Sequence, residues 1–458
     1  MRKILLVVIL VLPLFSNAQN FWTETFRSPG DYYVVDISIV DESTVWVTQT
    51  DLDITGRNSV WRWARSIDGG ITWTQGWLPD AVVFPTMSDQ FITNISALSD
   101  QTAYVGAAIS NHNGTNNKVL VTHDAGNTWT QIHPELFSDT HSLIHGVHFF
   151  DNDHGIAIGD AVGNNFEIYT TTDAAATWTR TPSANIPASL PNEYILMNPF
   201  DTTAGIIRFM TNKWRLFSSQ DRGLTWTVSQ TPDNPWYGDR YGDFFFTRTL
   251  SFKNASEGIL VTAGDNPALY HTTDGGSTWF PATTTGNLSD RSVTYVPQTS
   301  GTYYNTGNLS YPGTWNTGYS TDNGNSWTAM TDDPNFQPII TEFLSPTVGY
   351  ASGYVNRNPD YYIGLYRLTD TFNRLLKNKS FLESTFDASP NPTKDAFKIK
   401  GSEITSITIH DATGKAIYEQ FFTGAAEAEI DLSGFRTGFY FAKVSNNNGS
   451  KTIKIIKN

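Results

Sequence analysis

Ser219-Gln220-Asp221-Arg222-Gly223-Leu224-Thr225-Trp226 is one of six versions of a single eight-residue pattern. The other five occupy residues 66–73, 122–129, 171–178, 272–279 and 320–327. Each places an aspartate two positions after a serine or threonine (Asp68, Asp124, Asp173, Asp221, Asp274, Asp322) and ends in a tryptophan (Trp73, Trp129, Trp178, Trp226, Trp279, Trp327). The aspartates are separated by 56, 49, 48, 53 and 48 residues, and a period of that length marks a solenoid or a propeller. Aspartate at the head of a turn accepts backbone N–H bonds, glycine supplies a positive φ, and the tryptophan starts the returning strand and packs between blades. In the third copy Ala175 stands where glycine is expected, so that turn must adopt another conformation or carry strain.

A second repeat counts the blades. An apolar strand, a polar turn and another apolar strand recur at 35–48, 92–106, 144–159, 194–209, 249–262, 292–306 and 340–353, seven times in all. Phe21-Trp22-Thr23-Glu24-Thr25-Phe26 reads as the strand that follows a corner tryptophan, detached from any corner of its own. Propellers hide their two free edges by sharing a blade between the chain ends. That segment is therefore expected to complete the seventh blade as its outer strand; a six-bladed ring is the alternative.

Composition agrees with an all-β chain. Aromatics make up 14% of the 458 residues, with 14 Trp, and charged residues only 16%, which suits short strands joined by tight turns. Cysteine is absent, which excludes disulfides, thiolate chemistry and lipid attachment through a cysteine. Arg2-Lys3, the apolar run 4–15 and Ser16-Asn17-Ala18 read as a signal peptide, 1–18, cleaved after Ala18. The formal charge of −14 becomes −16 once Arg2 and Lys3 leave with it. Such a field repels phosphate backbones and argues against a nucleic-acid partner. No later run approaches the roughly 20 apolar residues of a membrane-spanning helix, and no cofactor or metal motif stands out; the nine His, His141 and His145 among them, read as ordinary loop or strand residues.

The repeated pattern resembles the Asp-box, Ser/Thr-x-Asp-x-Gly-x-Thr/Ser-Trp, of sialidases, sortilin-like receptors, xyloglucan-cleaving glycosidases and photosystem assembly-factor propellers. The resemblance implies a β-propeller, to which the sevenfold strand repeat gives seven blades over 19–378, with the corner aspartates serving as scaffold and the opposite face, formed by the other loops, as the working face.

From about residue 379 the pattern changes. Ser389-Pro390-Asn391-Pro392, the turn Asp411-Ala412-Thr413-Gly414-Lys415, Ile430-Asp431-Leu432-Ser433, Thr437-Gly438-Phe439-Tyr440 and a Lys-rich end follow in order. Alternating strands around hairpin turns suggest a small immunoglobulin-like β-sandwich over 379–458. The motif set, Pro390, Asn391, Pro392, Gly414, Lys415, Gly438 and Tyr440 included, resembles the C-terminal sorting domain of type IX secretion substrates in Bacteroidetes-type bacteria. This implies the type IX machinery as a partner and a secreted or outer-membrane-surface location.

Candidate ligand residues come from the loops. Asp233 to Asp243 brings Trp236, Tyr237, Arg240 and Tyr241 beside Asp239 and Asp243, a mixture of rings and carboxylates suited to sugars. Trp46 to Asp51 resembles the strand carrying the base in xyloglucanase-type glycosidases, which makes Asp51 a candidate base, although Leu52-Asp53 replaces that family's Gly pair. Phe26-Arg27-Ser28-Pro29 resembles the Phe-Arg-Ile-Pro stretch of sialidases with Ile replaced, and no further arginine motif accompanies it. The leading expectation is a secreted propeller that binds a glycan or a protein; the alternative is an extracellular glycoside hydrolase with two opposed carboxylates.

Overall fold

The computed structural model describes residues 21–27, 32–51, 61–78, 89–111, 114–133, 136–137, 142–196, 200–232, 249–262, 267–289, 292–308, 315–330, 336–357, 360–368, 386–411, 415–446 and 449–458. The chain divides into two compact units, 1–371 and 372–458. The expected boundary at 378/379 and the expected signal peptide lie outside the described residues.

In the first unit the strands gather into seven small sheets. Blade 1 runs Tyr32–Ile39, Val45–Asp51, Trp61–Ser66 and Thr74–Trp77, each strand antiparallel to the one before. Blade 2 comprises Asp89–Ala97, Ala103–Asn111, Gly114–Thr122 and Thr130–Ile132. Blade 3 is Ile144–Phe149, Gly155–Val162, Asn165–Thr171 and Thr179–Arg180. Blade 4 has three regular strands, Ile207–Met210, Arg215–Ser219 and Thr227–Gln230. Its inner position is taken by a chain held through single bridges, Ile195 to Thr211 and Asp201 to Arg208.

Blades 5 and 6 repeat the order, with innermost strands Leu250–Phe252 and Ser292–Tyr295, and blade 6 adds a fifth, outermost strand, Thr285–Gly286, parallel to Ser326–Ala329. Blade 7 is Phe336–Ser345, Val348–Arg357 and Asp360–Leu368, and its outer strand is Trp22–Arg27. The N-terminal segment thus closes the ring as expected, pairing Trp22 with Leu368 and Arg27 with Gly364.

Neighbouring blades are joined all the way round. Asp36 Oδ2 accepts from Ile95 N at 3.0 Å, Asn94 Oδ1 from Val147 N at 2.9 Å and Asp160 Oδ1 from Ile195 N at 3.2 Å. Asp201 Oδ2 then accepts from Phe252 N at 3.1 Å, Ser251 Oγ from Tyr295 N at 2.9 Å, and the Thr294 and Thr341 hydroxyls meet at 2.9 Å. Blade 7 returns to blade 1 through a shared core of Val34, Ile37, Val45, Tyr350 and Leu365. Asp36, Asn94, Asp160, Asp201 and Ser251 thereby each take up a backbone N–H of the next blade. The apolar cores lie between blades; one example is Trp46, Trp61 and Trp63 against Ile92, Ile95 and Val105.

The second unit is an antiparallel five-stranded sheet: Asp387–Ser389, Ala396–His410, Ala416–Asp431, Gly438–Asn446 and Gly449–Lys457. A register break between Lys400 and Ile404 bends its longest pairing, so the sheet folds over its own core of Phe397, Ile399, Ile407, Ile409, Ile430, Tyr440, Val444 and Ile455. Among the described residues no helix is long and apolar enough to cross a membrane.

Candidate functional site

All six corners make the same hydrogen bonds. In the first, Asp68 Oδ1 accepts from Ser66 Oγ and Thr72 N, both at 2.8 Å, and Oδ2 accepts from Thr72 Oγ1 at 2.6 Å. Ser66 Oγ accepts in turn from Gly70 N at 2.8 Å. Asp124, Asp173, Asp221, Asp274 and Asp322 repeat the set. Hydrogen bonds to an ionised carboxylate favour the charged form. The side chain and amide of Thr72 and the hydroxyl of Ser66 accordingly pull Asp68 down to about 2. Both oxygens of every corner carboxylate are thus engaged within its own turn.

The corners also face away from the longer loops. Gly69 N donates to Ser43 O, Ala125 N to Gln101 O, Ala174 N to Asp153 O, Gly275 N to Ser256 O and Asn323 N to Gly301 O. Corners therefore share one edge with the turns between first and second strands. Loops between second and third strands, and between blades, emerge at the other edge.

Each of the seven first turns is itself capped by its leading side chain, which accepts from backbone N–H two or three residues on: Asp41, Ser99, Asp151, Asp201, Asn254, Thr299 and Ser345. This sevenfold signal was present in the sequence, spread over four residue types.

Corner glycines do more than provide a turn. A Cβ on Gly223 would stand 2.3 Å from Ile156 Cδ1 of blade 3, and one on Gly276 2.4 Å from Leu216 Cδ2 of blade 4. Carbonyls at or next to these glycines receive a donor from the preceding blade. Thr181 Oγ1 donates to Gly223 O at 2.9 Å, Ser229 Oγ to Gly276 O at 2.6 Å and Arg367 Nη1 to Gly69 O at 3.1 Å. Ala175 keeps the left-handed conformation, φ 67°, and the bond from its N–H to Thr171 Oγ1. Of the two expected outcomes, the turn therefore adopts the strained one. Its carbonyl is met at 2.9 Å by His133 Nε2 of blade 2.

On the loop-bearing edge, Asp51 ends the second strand of blade 1, in register with Tyr32. Asp53, Asp239, Asp243, Trp236, Tyr237, Arg240 and Tyr241 lie outside the described residues, as does His141. Arg27 has its guanidinium 3.8 Å from the Tyr362 ring centroid in blade 7. His145 Nε2 sits 3.0 Å from Asp160 Oδ1, buried at the top of blade 3. Glu193 is tied to Arg215 at 2.7 Å and to Thr211, holding the segment before blade 4 in place. Among the described residues no group of three or more His, Asp or Glu could hold a metal ion.

Sequence reasoning missed one cluster on this edge. Arg62, second residue of the third strand of blade 1, lies between the rings of Tyr32 and Trp77, with centroids at 4.9 and 4.4 Å. The three residues sit on three different strands, so only the cross-strand register brings them together.

In the C-terminal unit, Asn391 is bound to the last strand, donating to Lys454 O at 2.7 Å and accepting from Ile456 N at 2.9 Å. Asp411 and Lys415 close the expected turn, of which Gly414 is outside the described residues. Tyr440 is buried and donates to Arg436 O at 2.7 Å. Pro390 and Pro392 flank Asn391, and Gly438 begins the strand that carries Tyr440.

Ring and tail together define a seven-bladed β-propeller joined to a small C-terminal β domain. That tail, residues 388–458, matches the family described as "Secretion system C-terminal sorting domain". No curated protein matches the chain at a significant level. Among solved structures, YCF48 bound to D1 peptide aligns at TM-score 0.49 and 17% identity, over 77% of this chain and 98% of that one. YCF48 from Cyanidioschyzon merolae aligns at 0.49 and 14%, over 76% and 99%. Trypanosoma rangeli sialidase aligns at 0.40 and 11%, over 93% and 85%.

Proposed function

We propose that this chain is an extracellular binding propeller. It travels by the type IX route, is released or held at the outer-membrane surface, and engages a glycan or a protein through its loop-bearing edge. The observation that carries this reading is the state of the six corner carboxylates. All are closed by their own turns on the edge remote from the loops, so the residues that dominate the sequence signal serve the scaffold. The sorting domain supports export and the secretion machinery as a partner.

The test is to immobilise the exported chain and expose it to a polysaccharide panel and to cell-surface protein extracts, while assaying the same polysaccharides for new reducing ends. Retention without new reducing ends is the expected result. Release of reducing ends that disappears in an Asp51→Asn variant would replace the proposal with glycoside hydrolysis by a carboxylate pair.

A further inference from the structure

The loop-bearing edge of blade 1 holds a cation that no acid among the described residues neutralises. Arg62 is only 8% exposed. Its Nη2 donates to the neutral Gln75 Oε1 at 2.9 Å, and its Nε has no acceptor among the described residues. Two other enclosed guanidinium groups are matched with acids, Arg208 with Asp201 at 2.9 Å and Arg215 with Glu193 at 2.7 Å. A desolvated charge lacking its counter-ion is an unfavourable arrangement, and an arriving anion relieves it.

The surroundings say which kind of anion. Trp77 is paired with Arg62 across the third and fourth strands and is 56% exposed. Tyr32 meets it edge-on, centroids 6.4 Å apart. A ring open to solvent accepts the apolar C–H face of a pyranose, while a guanidinium pairs with a carboxylate in a forked, directional geometry. An acidic protein side chain brings the carboxylate without the broad apolar face that fits Trp77. The chain's overall negative charge does not forbid an acidic ligand, because beyond about 8–10 Å at physiological salt exposed charges are largely screened and the local cation decides.

We propose that Tyr32, Arg62 and Trp77 form a subsite for a carboxylate-bearing sugar, a uronate unit of an acidic polysaccharide. This rests on the binding function proposed above and narrows it to one ligand class at one place.

The experiment titrates the exported chain with polygalacturonate and with alginate, and with neutral dextran as the control. Binding to at least one polyuronate, at least tenfold tighter than to dextran and weakened by added salt, is expected. Trp77→Ala, a change at an exposed ring, is expected to weaken that binding at least tenfold at unchanged melting temperature. Arg62→Gln is expected to erase the preference for charged over neutral polymer, and Trp77→Ala keeps the question decidable if Arg62→Gln does not fold. Equal affinity for dextran, or polyuronate binding indifferent to Trp77→Ala, overturns the subsite. A chain that ignores both polyuronates yet retains a neutral glycan or a protein overturns it too, and leaves the wider binding function standing.

Discussion

Tyr362 donates its phenolic hydrogen to Glu24 at 2.8 Å, joining residues 338 positions apart in the chain. Tyr366 reaches the same carboxylate oxygen at 3.2 Å, and beside it Trp22 Nε1 donates to Tyr304 of blade 6 at 3.1 Å. The strand that closes the ring is therefore anchored by specific polar bonds and by a buried indole as well as by its ladder.

Replacing Trp22 by alanine removes a side chain that is 4% exposed and packs on Tyr304 and Phe343. Large-to-small changes at such sites cost about 3–5 kcal/mol. Urea unfolding of the exported chain is expected to show that loss, with Glu24→Ala costing about 1–3 kcal/mol through the loss of the acceptor shared by Tyr362 and Tyr366.

The corner at Ala175 offers a paired test. Relieving a left-handed alanine by Ala175→Gly is expected to be neutral or to stabilise by up to about 1 kcal/mol, part of the gain being offset by the lost buried methyl. Gly223→Ala is expected to destabilise by about 1–3 kcal/mol, because it adds both the strained φ of 94° and a methyl against Ile156. Thermal melts of the two variants should move apart; equal shifts would show that the corner glycine matters for neither packing nor conformation.

Acid sensitivity follows from the same turns. Asp68, Asp124, Asp173 and Asp274 are held below their ordinary value of 3.8, chiefly by hydrogen bonds from the hydroxyl and amide of the threonine four residues on. A carboxylate lowered in the folded state stabilises the fold above its unfolded pKa, and that contribution disappears as pH falls through the folded one. Unfolding midpoints should hold steady down to about pH 4 and then drop towards pH 2. Asp68→Asn should make that drop shallower.

Deleting residues 388–458 removes the whole segment that matches the sorting family. In the native host the truncated chain is expected to accumulate inside the outer membrane while its propeller folds, a result read by cell fractionation and protease accessibility. Appearance of the truncated chain in the medium at the level of the intact one would remove the tail from the export route.

Much of this architecture could be read beforehand because it rests on local chemistry. The corner from Asp221 to Trp226 needs its aspartate, glycine and tryptophan at fixed offsets, so it recurs in recognisable letters. The detached strand around Trp22 was visible for the complementary reason, a returning strand without a corner. The fastenings between blades were not legible. His133, Thr181, Ser229 and Arg367 all donate to a corner carbonyl of the following blade, and any donor of suitable reach does so, so no residue type repeats. The cluster of Arg62, Tyr32 and Trp77 was hidden likewise, since strands distant in sequence assemble it. Asp239 and its neighbours stand out by composition alone, and they fall outside the described residues.

The chain leaves the propeller through Asp360–Leu368, the same strand on which Trp22–Arg27 is laid. A pull exerted by way of the tail is thus delivered to the seam of the circle, where a ladder of five residue pairs, the Glu24 contacts, the Arg27–Tyr362 stack and the Trp22 indole are among the contacts that resist it. Mechanical load during passage across a membrane would open the ring there first, peeling the first-made strand from the last and leaving the six other blades stacked.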